Sequence, residues 1–332
     1  MLADAHEPRG GAAGRGASQQ PLGMESPGPR QVMRSDEALA PLVLAASNDP
    51  ADLRAWRKAG VIQRVRRGAY VTPSPSQGPA LDRRTLALAR IEAVAAQIRT
   101  PYWFSHESAA LIWGGDVVGL SGRVHVTQAW SDSSRGDRQL VRHVHDLPLA
   151  SRTSHRGLAV TTLERTAIDC ATSMPGRRAL VVLDSLVRIG AETDAIAAGL
   201  RAGHRGVRTA RRVVERVDPR SESPGESLAR WEILEQGLPT PDLQVEVRTS
   251  HGTYRLDLAW RQAKVALEFD GFVKYSGTYG SAAEVVFAEK KRQDALEAAG
   301  WLVVRITWDD LARPEPWLTR LAAALRTRAA AH

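Results

Sequence analysis

The spacing of hydrophobic residues changes along the chain, and each change predicts a different element. Between residues 253 and 311 apolar positions first alternate, then recur every three to four residues, then form a short continuous run. This order predicts two strands, a helix and a further strand. Upstream, helices are predicted over 81–98 and 106–113, and strands over 123–128 and 140–145. The sequence therefore predicts a multidomain fold of mixed α+β and α/β class.

Residues 1–34 form a leader without apolar periodicity, dominated by Gly, Pro, Ala, Ser and Gln. Such a composition cannot bury enough surface to offset the entropy of ordering, so the leader is predicted to be disordered. It lacks the basic start and apolar core of a signal peptide, and no apolar run in the sequence is long enough to span a bilayer. We therefore expect a cytoplasmic protein without a membrane partner.

Residues 35–73 show the element order of a winged helix, in which a helix, a turn and a second helix precede a β-hairpin. The predicted elements are a helix with the stripe Leu39, Leu42, Val43 and Ala46, a helix from Asp49 and Pro50 to Gly60, and strands at 61–65 and 69–72. Basic residues on the second helix and the hairpin are suited to groove and phosphate contacts with DNA; they are Arg54, Arg57, Lys58, Arg64, Arg66 and Arg67. The alternative is the solvated face of a small adaptor.

Three stretches of the sequence, GVIQRVRRGAYV, FSHESAALIWG and AVTTLERTAIDCA, resemble the AbiEi-type antitoxin winged-helix module and the domain that follows it. The resemblance covers about residues 35–190. It implies DNA binding and autoregulation, with a toxin or a toxin–antitoxin operator as a partner. We assign residues 81–200 to an α+β middle domain of this type, in which the TTLERT stretch begins a helix over 161–171.

The histidines of the middle domain are interpreted without catalysis. His106 and Glu107 have no partner at metal-ligand spacing in the sequence, so a helix-capping or packing role is expected for them. His143 and His145 lie two residues apart on a predicted strand and share a face. Together with His125 they are interpreted as surface residues, with phosphate contact as the alternative.

The net charge indicates a class of binding partner, and the cysteine content excludes two kinds of structural site. The formal charge of +8 and an isoelectric point near 10.1 favour a polyanion such as nucleic acid, although an arginine-rich composition from a high-GC genome is an alternative source. The single cysteine, Cys170, excludes a disulfide framework and a multi-cysteine zinc site. A helix is predicted in the linker over 201–221, and its positive stripe is interpreted either as a DNA contact or as the solvated face of a linker helix. Five arginines recur along it: Arg201, Arg205, Arg208, Arg212 and Arg216.

The carboxyl-terminal domain is predicted over 222–328, and two of its strands can be paired by parity. One antiparallel register with a four-residue turn at 261–264 sets three apolar pairs on the core face: Trp260 with Val265, Leu258 with Leu267, and Leu256 with Phe269. The other face then pairs Asp257 with Glu268 and Arg255 with Asp270. Opposed Cβ atoms lie within about 5 Å, so the two carboxylates require a cation unless this is simply a polar outer face. Mg²⁺ is the expected ion because it prefers carboxylate oxygens.

The stretches LDLAW, ALEFDGFVKY and EKKRQDALEAAGWLVVRIT, in this order, resemble the family called domain of unknown function 559. That family is related to very-short-patch repair endonucleases of the PD-(D/E)XK restriction-endonuclease-like superfamily, and the resemblance covers about residues 222–312. It implies that Asp257 is the strand aspartate, that Glu268 is the second metal-binding acid, and that Asp270 completes the acid-x-Asp-Gly motif. Glu226 has two interpretations: the partner of a helix cap, or the metal-binding glutamate that such folds often carry on their first helix.

The sequence departs from the superfamily pattern at the lysine expected two residues after the second acid, where Asp270 stands. Lys274, at the position where many relatives have a histidine, could supply the displaced positive charge, and so could Lys291 or Arg292. Arg292 interrupts the apolar stripe of its helix, so a partner in the acid cluster is expected for it. Arg305 is interpreted as a further acid or phosphate contact.

These patterns predict a DNA-binding protein with a Mg²⁺-dependent endonuclease domain that hydrolyses phosphodiester bonds. The predicted catalytic residues are Asp257, Glu268, Asp270, Lys274 and Lys291. The alternative is an AbiEi-like antitoxin or transcriptional regulator whose nuclease-like domain is inactive, which the missing lysine favours. A third interpretation is an interaction protein whose basic charge reflects composition alone.

Overall fold

The computed structural model describes residues 31–32, 41–73, 83–130, 137–271 and 282–330. Within these ranges it contains eleven α-helices and three separate sheets, which confirms the mixed α+β class. None of the helices in the described part of the chain is long and apolar enough to cross a bilayer.

The amino-terminal sheet has four antiparallel strands in the order β1-β2-β4-β3, with one α-helix between β2 and β3. That helix begins as predicted: the Asp49 carboxylate accepts a 2.6 Å hydrogen bond from the Ala51 amide, and Pro50 occupies the first helical position. The predicted hairpin is also confirmed. The elements are β1 (Gln31–Val32), β2 (Leu42–Leu44), α1 (Pro50–Lys58), β3 (Gln63–Arg66) and β4 (Ala69–Val71).

The first predicted helix of this region is wrong where the structure describes it. Leu42 and Val43 lie on a strand and belong to two different buried clusters, so successive side chains face opposite sides. An apolar run this short does not distinguish a strand from a helix by periodicity. Leu39 lies outside the described residues. So does the predicted disordered leader, apart from Gln31–Val32, which form a strand on β2 instead.

The middle region contains a five-stranded mixed sheet in the order β7-β6-β5-β9-β8, followed by four helices. The predicted helix start at TTLERT is confirmed, because the Thr162 hydroxyl accepts a 3.3 Å hydrogen bond from the Arg165 amide. Cys170 is buried, as expected. The elements are α2 (Arg83–Gln97), β5 (Trp103–Phe104), α3 (His106–Ile112), β6 (Val124–Gln128), β7 (Leu140–Val144), β8 (Arg152–His155), β9 (Leu158–Thr161), α4 (Leu163–Ser173), α5 (Gly176–Ile189), α6 (Thr193–Gly199) and α7 (Val207–Val214).

The continuous basic helix predicted over 201–216 is wrong, since α7 begins only at Val207. Gly203 and Gly206 adopt left-handed backbone angles, φ +84° and +80°, which interrupt a helix. At Gly206 an added Cβ would also lie 2.0 Å from the Thr172 carbonyl oxygen, so only glycine fits this close approach. Arg201 and Arg205 therefore precede the helix, and the predicted basic stripe is broken.

The carboxyl-terminal region contains a four-stranded sheet in the order β10-β11-β12-β13, in which β12 and β13 are parallel and the other pairs are antiparallel. One face packs on α8, α10 and α11, and the other packs on α9. The elements are α8 (Pro224–Glu235), β10 (Asp242–Thr249), β11 (Gly252–Trp260), β12 (Val265–Phe269), α9 (Ala282–Ala298), β13 (Leu302–Ile306), α10 (Trp308–Ala312) and α11 (Pro314–Ala329).

The register predicted for β11 and β12 is confirmed for its first two apolar pairs, Trp260 with Val265 and Leu258 with Leu267. The third predicted pair is wrong, because Leu256 packs in the cluster under α9 whereas Phe269 packs on the opposite face. The predicted pair of Arg255 and Asp270 is also absent from the described ladder, which ends at Leu258, and Arg255 forms an ion pair with Glu222 at 2.5 Å. The regular pairing of β11 with β12 ends at Leu258. Beyond it, the side chain of Asp257 accepts a backbone hydrogen bond from β12.

Candidate functional site

Acidic side chains converge at the end of β12. Asp257 on β11, Glu268 on β12 and Asp270 just after β12 line one cavity of about 280 Å³ together with Arg292 and Arg305. Phe269 and Glu289 complete the lining. Asp257 and Glu268, which are predicted to be opposed, therefore line the same cavity, although the regular strand pairing ends at Leu258, before it reaches them.

The side chain of Asp257 replaces a backbone hydrogen bond between β11 and β12. Its Oδ2 accepts a 3.0 Å hydrogen bond from the Phe269 amide, at the point where the regular β11–β12 pairing has ended. The same phenylalanine packs on the first turn of α8, where an added Cβ on Gly225 would lie 2.3 Å from its ring. The glycine of the capping sequence thus brings α8 close to the end of β12, beside the acids.

The pKa of Asp257 is raised to about 6. Burial is the main cause, and the negative charges of Glu226 and Glu268 raise it further. The Phe269 amide and the Arg292 guanidinium lower it but do not outweigh burial. A carboxylate with this pKa would be stabilised by a cation in the cavity.

Glu268 is neutralised by arginines. Both of its carboxylate oxygens accept hydrogen bonds from Arg292, one of them at 2.9 Å, and Nε of Arg305 lies 3.6 Å from Glu268 Oε2. Glu268 is only 6% exposed, so the pair with Arg292 balances a charge that burial would otherwise disfavour. The acid-cluster partner predicted for Arg292, and the acid contact predicted for Arg305, are confirmed.

Asp270 and Glu226 differ in the hydrogen bonds that their carboxylate oxygens accept. Oδ1 of Asp270 is buried and has no hydrogen-bond partner within the described part of the chain. Glu226 is buried next to its helix cap, but its Oε2 accepts 2.9 Å hydrogen bonds from the Glu222 amide and from Gln244 Nε2. Ser223 caps the Glu226 amide as predicted. Glu226 therefore acts on Asp257 through its charge and is not among the residues that line the cavity.

The structure describes two of the three candidate cations, Arg292 and Lys291. Arg292 lines the cavity, whereas Lys291 is exposed and is not among the described residues that form its wall. Lys274 lies outside the described residues. Glu289 was not singled out from the sequence, although it precedes Arg292 by three residues on α9 and so shares its helical face.

The carboxylates fit Mg²⁺ in donor chemistry, because the ion prefers hard oxygen ligands. Asp257, with its raised pKa, and Asp270, with its unpartnered oxygen, offer the best donors. Glu268 would have to turn away from Arg292 to contribute. The ligand atoms of these three acids also do not all lie within 4.8 Å of one another in the described structure, so a shared ion requires the side chains to close around it.

A second cavity, of about 610 Å³, lies between the β3–β4 hairpin and the middle region. Basic side chains dominate its wall, and Arg66 forms an ion pair there with Asp137. Gln97 Nε2 donates a 3.0 Å hydrogen bond to the Arg67 carbonyl, which fixes the hairpin tip against α2. The full lining is Arg64, Val65, Arg66, Arg67, Gln97, Asp137, Arg138 and Gln139.

Two of the other arginines predicted to contact DNA form ion pairs, and the remaining basic residues are exposed. Arg212 pairs with Glu235 at 2.5 Å, and Arg216 bonds the same carboxylate, so these two tie α7 to α8. The exposed residues are Arg54, Arg57 and Lys58 on α1, Arg64 and Arg67 on the hairpin, Arg205 before α7, and Arg208 on α7.

Two curated relatives from Mycobacterium tuberculosis are 34% identical to this chain over 174 residues: uncharacterized protein MT2308 of strain CDC 1551 and uncharacterized protein Rv2248 of strain H37Rv. The match covers 51% of this chain and 61% of each relative, so the chain spans about three fifths of their length. No protein-family model matches the chain.

Among solved structures, the crystal structure of the RV2827C protein from Mycobacterium tuberculosis is similar to part of the chain. The two are 16% identical, and the match covers 60% of this chain and 77% of that one with a TM-score of 0.32. Function is therefore inferred from the site itself.

Proposed function

We propose that this chain binds DNA and that its carboxyl-terminal domain is a restriction-endonuclease-like phosphodiesterase that uses Mg²⁺. The observation that carries the proposal is the convergence of Asp257, Glu268 and Asp270 on one cavity that also contains Arg292 and Arg305. Carboxylates that can hold a divalent cation, next to fixed guanidinium groups, are the groups that phosphodiester hydrolysis requires.

The roles follow from the contacts. Asp257, which is ionised well above pH 6, and Asp270 would hold the ion through carboxylate oxygens. When bound, Mg²⁺ offsets charge on the scissile phosphate and activates water. Arg292 and Arg305 would donate their remaining N–H groups to phosphate oxygens in charge-assisted hydrogen bonds. Glu268 keeps Arg292 at the cavity wall through its paired hydrogen bonds.

A second candidate is an AbiEi-like regulator whose nuclease-like domain is inactive. One observation favours it: Arg292 donates hydrogen bonds to both oxygens of Glu268, so its guanidinium group stands where a metal ion would bind this carboxylate. In this case the protein would act by binding an operator through the amino-terminal hairpin and α1. The two candidates share DNA binding and differ in cleavage.

We expect the untagged full chain to nick supercoiled plasmid in the presence of MgCl₂ and not in EDTA. Asp257→Asn should lower the rate by at least about 1,000-fold, because a divalent cation contributes several kcal/mol to such a transition state. Glu268→Gln should also lower it, since the neutral amide no longer holds Arg292. The measurement is the initial rate of conversion to open-circle plasmid on agarose.

Asp309→Asn provides the matched control, because Asp309 is an exposed acid on α10 outside the cavity. It should cleave at the wild-type rate. If the wild type retards DNA but does not cleave it in Mg²⁺ or Mn²⁺, the regulator is the correct function. If Asp257→Asn cleaves as fast as the wild type, the activity belongs to a contaminant.

DNA affinity should depend on the hairpin. The double variant Arg64→Gln and Arg67→Gln is expected to weaken binding of a 30-base-pair duplex and to reduce the slope of log affinity against log salt by about 2, because each phosphate contact releases about one counterion. Fluorescence anisotropy in EDTA across a salt series measures both quantities. The double variant Arg320→Gln and Arg326→Gln on α11 removes the same charge and should leave the slope unchanged; equal losses in both variants would exclude the hairpin.

A further inference from the structure

Three histidines from separate elements meet on one side of the middle sheet. His106 begins α3, His125 lies on β6 and His143 lies on the parallel strand β7. Their ligand nitrogens, one from each ring, all lie within 4.8 Å of one another. Among the described residues, no other group of three His, Cys, Asp or Glu side chains is as close. His106 has no partner at metal-ligand spacing in the sequence, and the fold brings two histidines of distant strands close to it.

The geometry is close to that of a metal site. Nδ1 of His125 and Nε2 of His143 are 3.0 Å apart, and two nitrogens bound tetrahedrally to Zn²⁺ would be about 3.3 Å apart. The His106 ring stacks on His143 with centroids 3.6 Å apart and an angle of 12° between the planes. Sharing one ion requires the His106 ring to tilt out of this stack, and rotation about its last side-chain bond is soft.

Two buried atoms around the histidines have no hydrogen-bond partner in the described structure, His125 Nε2 and Asp169 Oδ2. Unsatisfied buried polar atoms are rare, and these two lie behind the rings, where a metal-bound imidazole would donate its N–H group to a carboxylate. His106 also has a left-handed backbone, with φ +54°. Such strain in a residue other than glycine persists where the surroundings enforce it, often at binding sites.

Carboxylates lie behind the rings, as the outer partners of metal-bound histidines usually do. Asp169 Oδ2 lies 3.9 Å from His106 Nδ1, and Glu107 Oε1 lies 3.8 Å from His125 Nε2. Arg165 holds the other oxygen of Asp169 at 2.8 Å and so fixes the aspartate beside His106. Burial also lowers the pKa of each imidazole, to about 4 for His125 and His143, so the rings are neutral at pH 7.

We infer that His106, His125 and His143 form a binding site for a first-row transition-metal cation, with Zn²⁺ as the best candidate. Neutral imidazoles suit zinc, whereas Mg²⁺ prefers oxygen donors. Three histidines leave a fourth position for water or a carboxylate. The ion would join α3 to β6 and β7, whose histidine rings also contact one another through the His125–His143 hydrogen bond and the stacking of His106 on His143. This site lies apart from the acid cavity and does not depend on the proposed nuclease activity.

The test uses the full chain without a histidine tag, stripped with EDTA and dialysed, and titrated with ZnCl₂ in a calorimeter. We expect one equivalent to bind with a submicromolar dissociation constant that excess Mg²⁺ does not change. His125→Asn and His143→Gln should each weaken binding by at least about 100-fold, because loss of a ligand costs more than the 10–100-fold that loss of an outer partner costs. Both amides can keep the neutral hydrogen bond, and circular dichroism in EDTA checks that the variants fold.

His251→Gln is the matched control, since His251 is exposed on the turn between β10 and β11. It should bind Zn²⁺ as the wild type does. Cobalt provides an independent signal, because tetrahedral Co²⁺ absorbs visible light strongly and octahedral Co²⁺ does not; the wild type and His251→Gln should show this band and the two cluster variants should not. Equal zinc affinity in the wild type and in His125→Asn, or no binding by the wild type, would show that the histidines only pack against one another.

Discussion

Asparagine at position 257 is expected to stabilise the folded chain at pH 8 while it abolishes Mg²⁺-dependent cleavage. Asp257 keeps a negative charge beside Glu226 and Glu268 in a largely buried place, which raises its pKa to about 6 from the ordinary 3.8. Asparagine removes that charge, and its side-chain oxygen can still accept the hydrogen bond from the Phe269 amide. Activity and stability should therefore change in opposite directions, as is common at functional sites.

The sign of the pH dependence follows from proton linkage. Between about pH 4 and pH 6 the folded chain holds a proton on Asp257 that the unfolded chain has already lost, so the free energy of unfolding falls as the pH rises. Above pH 6 the cost is fully present, and a shift of two pKa units corresponds to about 3 kcal/mol. Asparagine does not titrate, so its advantage over the wild type should grow by about 2 kcal/mol between pH 4.5 and pH 8.

Urea unfolding of both proteins at the two pH values, in EDTA, measures this growth. Asp309→Asn should show no comparable pH-dependent gain, because Asp309 is exposed. Mg²⁺ added at pH 8 should narrow the difference by stabilising the wild-type carboxylate. A constant difference across pH would mean that Asp257 titrates as an ordinary surface acid, and a difference that ignores Mg²⁺ would count against metal binding there.

Arg230→Met is expected to destabilise the chain by about 3–5 kcal/mol, the usual cost of leaving one buried charge without its partner. Arg230 on α8 donates a 2.6 Å hydrogen bond to Asp184 on α5, and the two side chains are 4% and 0% exposed. Ser227 and the Asp218 amide also donate to Asp184, at 2.7 and 2.9 Å. This network joins the helices of the middle region to the first helix of the carboxyl-terminal region, so its loss should loosen that junction.

Arg255→Met is the control for this change, because Arg255 and Glu222 form an ion pair whose side chains are 54% and 46% exposed. Exposed pairs contribute about 0–1 kcal/mol, so this variant should unfold close to the wild-type urea midpoint. Adding Asp184→Leu to Arg230→Met should recover part of the loss, since no buried charge then remains unpaired. Similar losses in Arg230→Met and Arg255→Met would show that the buried network adds nothing beyond a surface pair.

Local signals in the sequence were sufficient for three helix starts and for part of the pairing between β11 and β12. Asp49 with Pro50, Thr162, and Ser223 with its proline each mark a helix start that the structure contains, because a cap satisfies backbone amides within one turn. The register of β11 with β12 also followed from the sequence as far as Leu258, because a one-residue slip would expose every core side chain.

The same local reasoning failed where a contact with another part of the chain determined the secondary structure. Leu42–Leu44 form a strand because β4 is available to pair with them, and a short apolar run carries no period of its own. The basic helix was interrupted by Gly206, which is required by its contact with the Thr172 carbonyl, an approach that no spacing in the sequence indicates.

The sequence by itself predicted three of the acids that line the cavity, Asp257, Glu268 and Asp270, from the alternation of two strands and the motif around them. Only the tertiary structure decided which cation joins them: α9 crosses the sheet so that Arg292 reaches Glu268 while Lys291 stays exposed. It also brought together three histidines separated by up to 37 positions, through the pairing of β6 with β7 and the start of α3. Periodicity reports which face a residue occupies, whereas packing between distant elements determines which side chain that face meets.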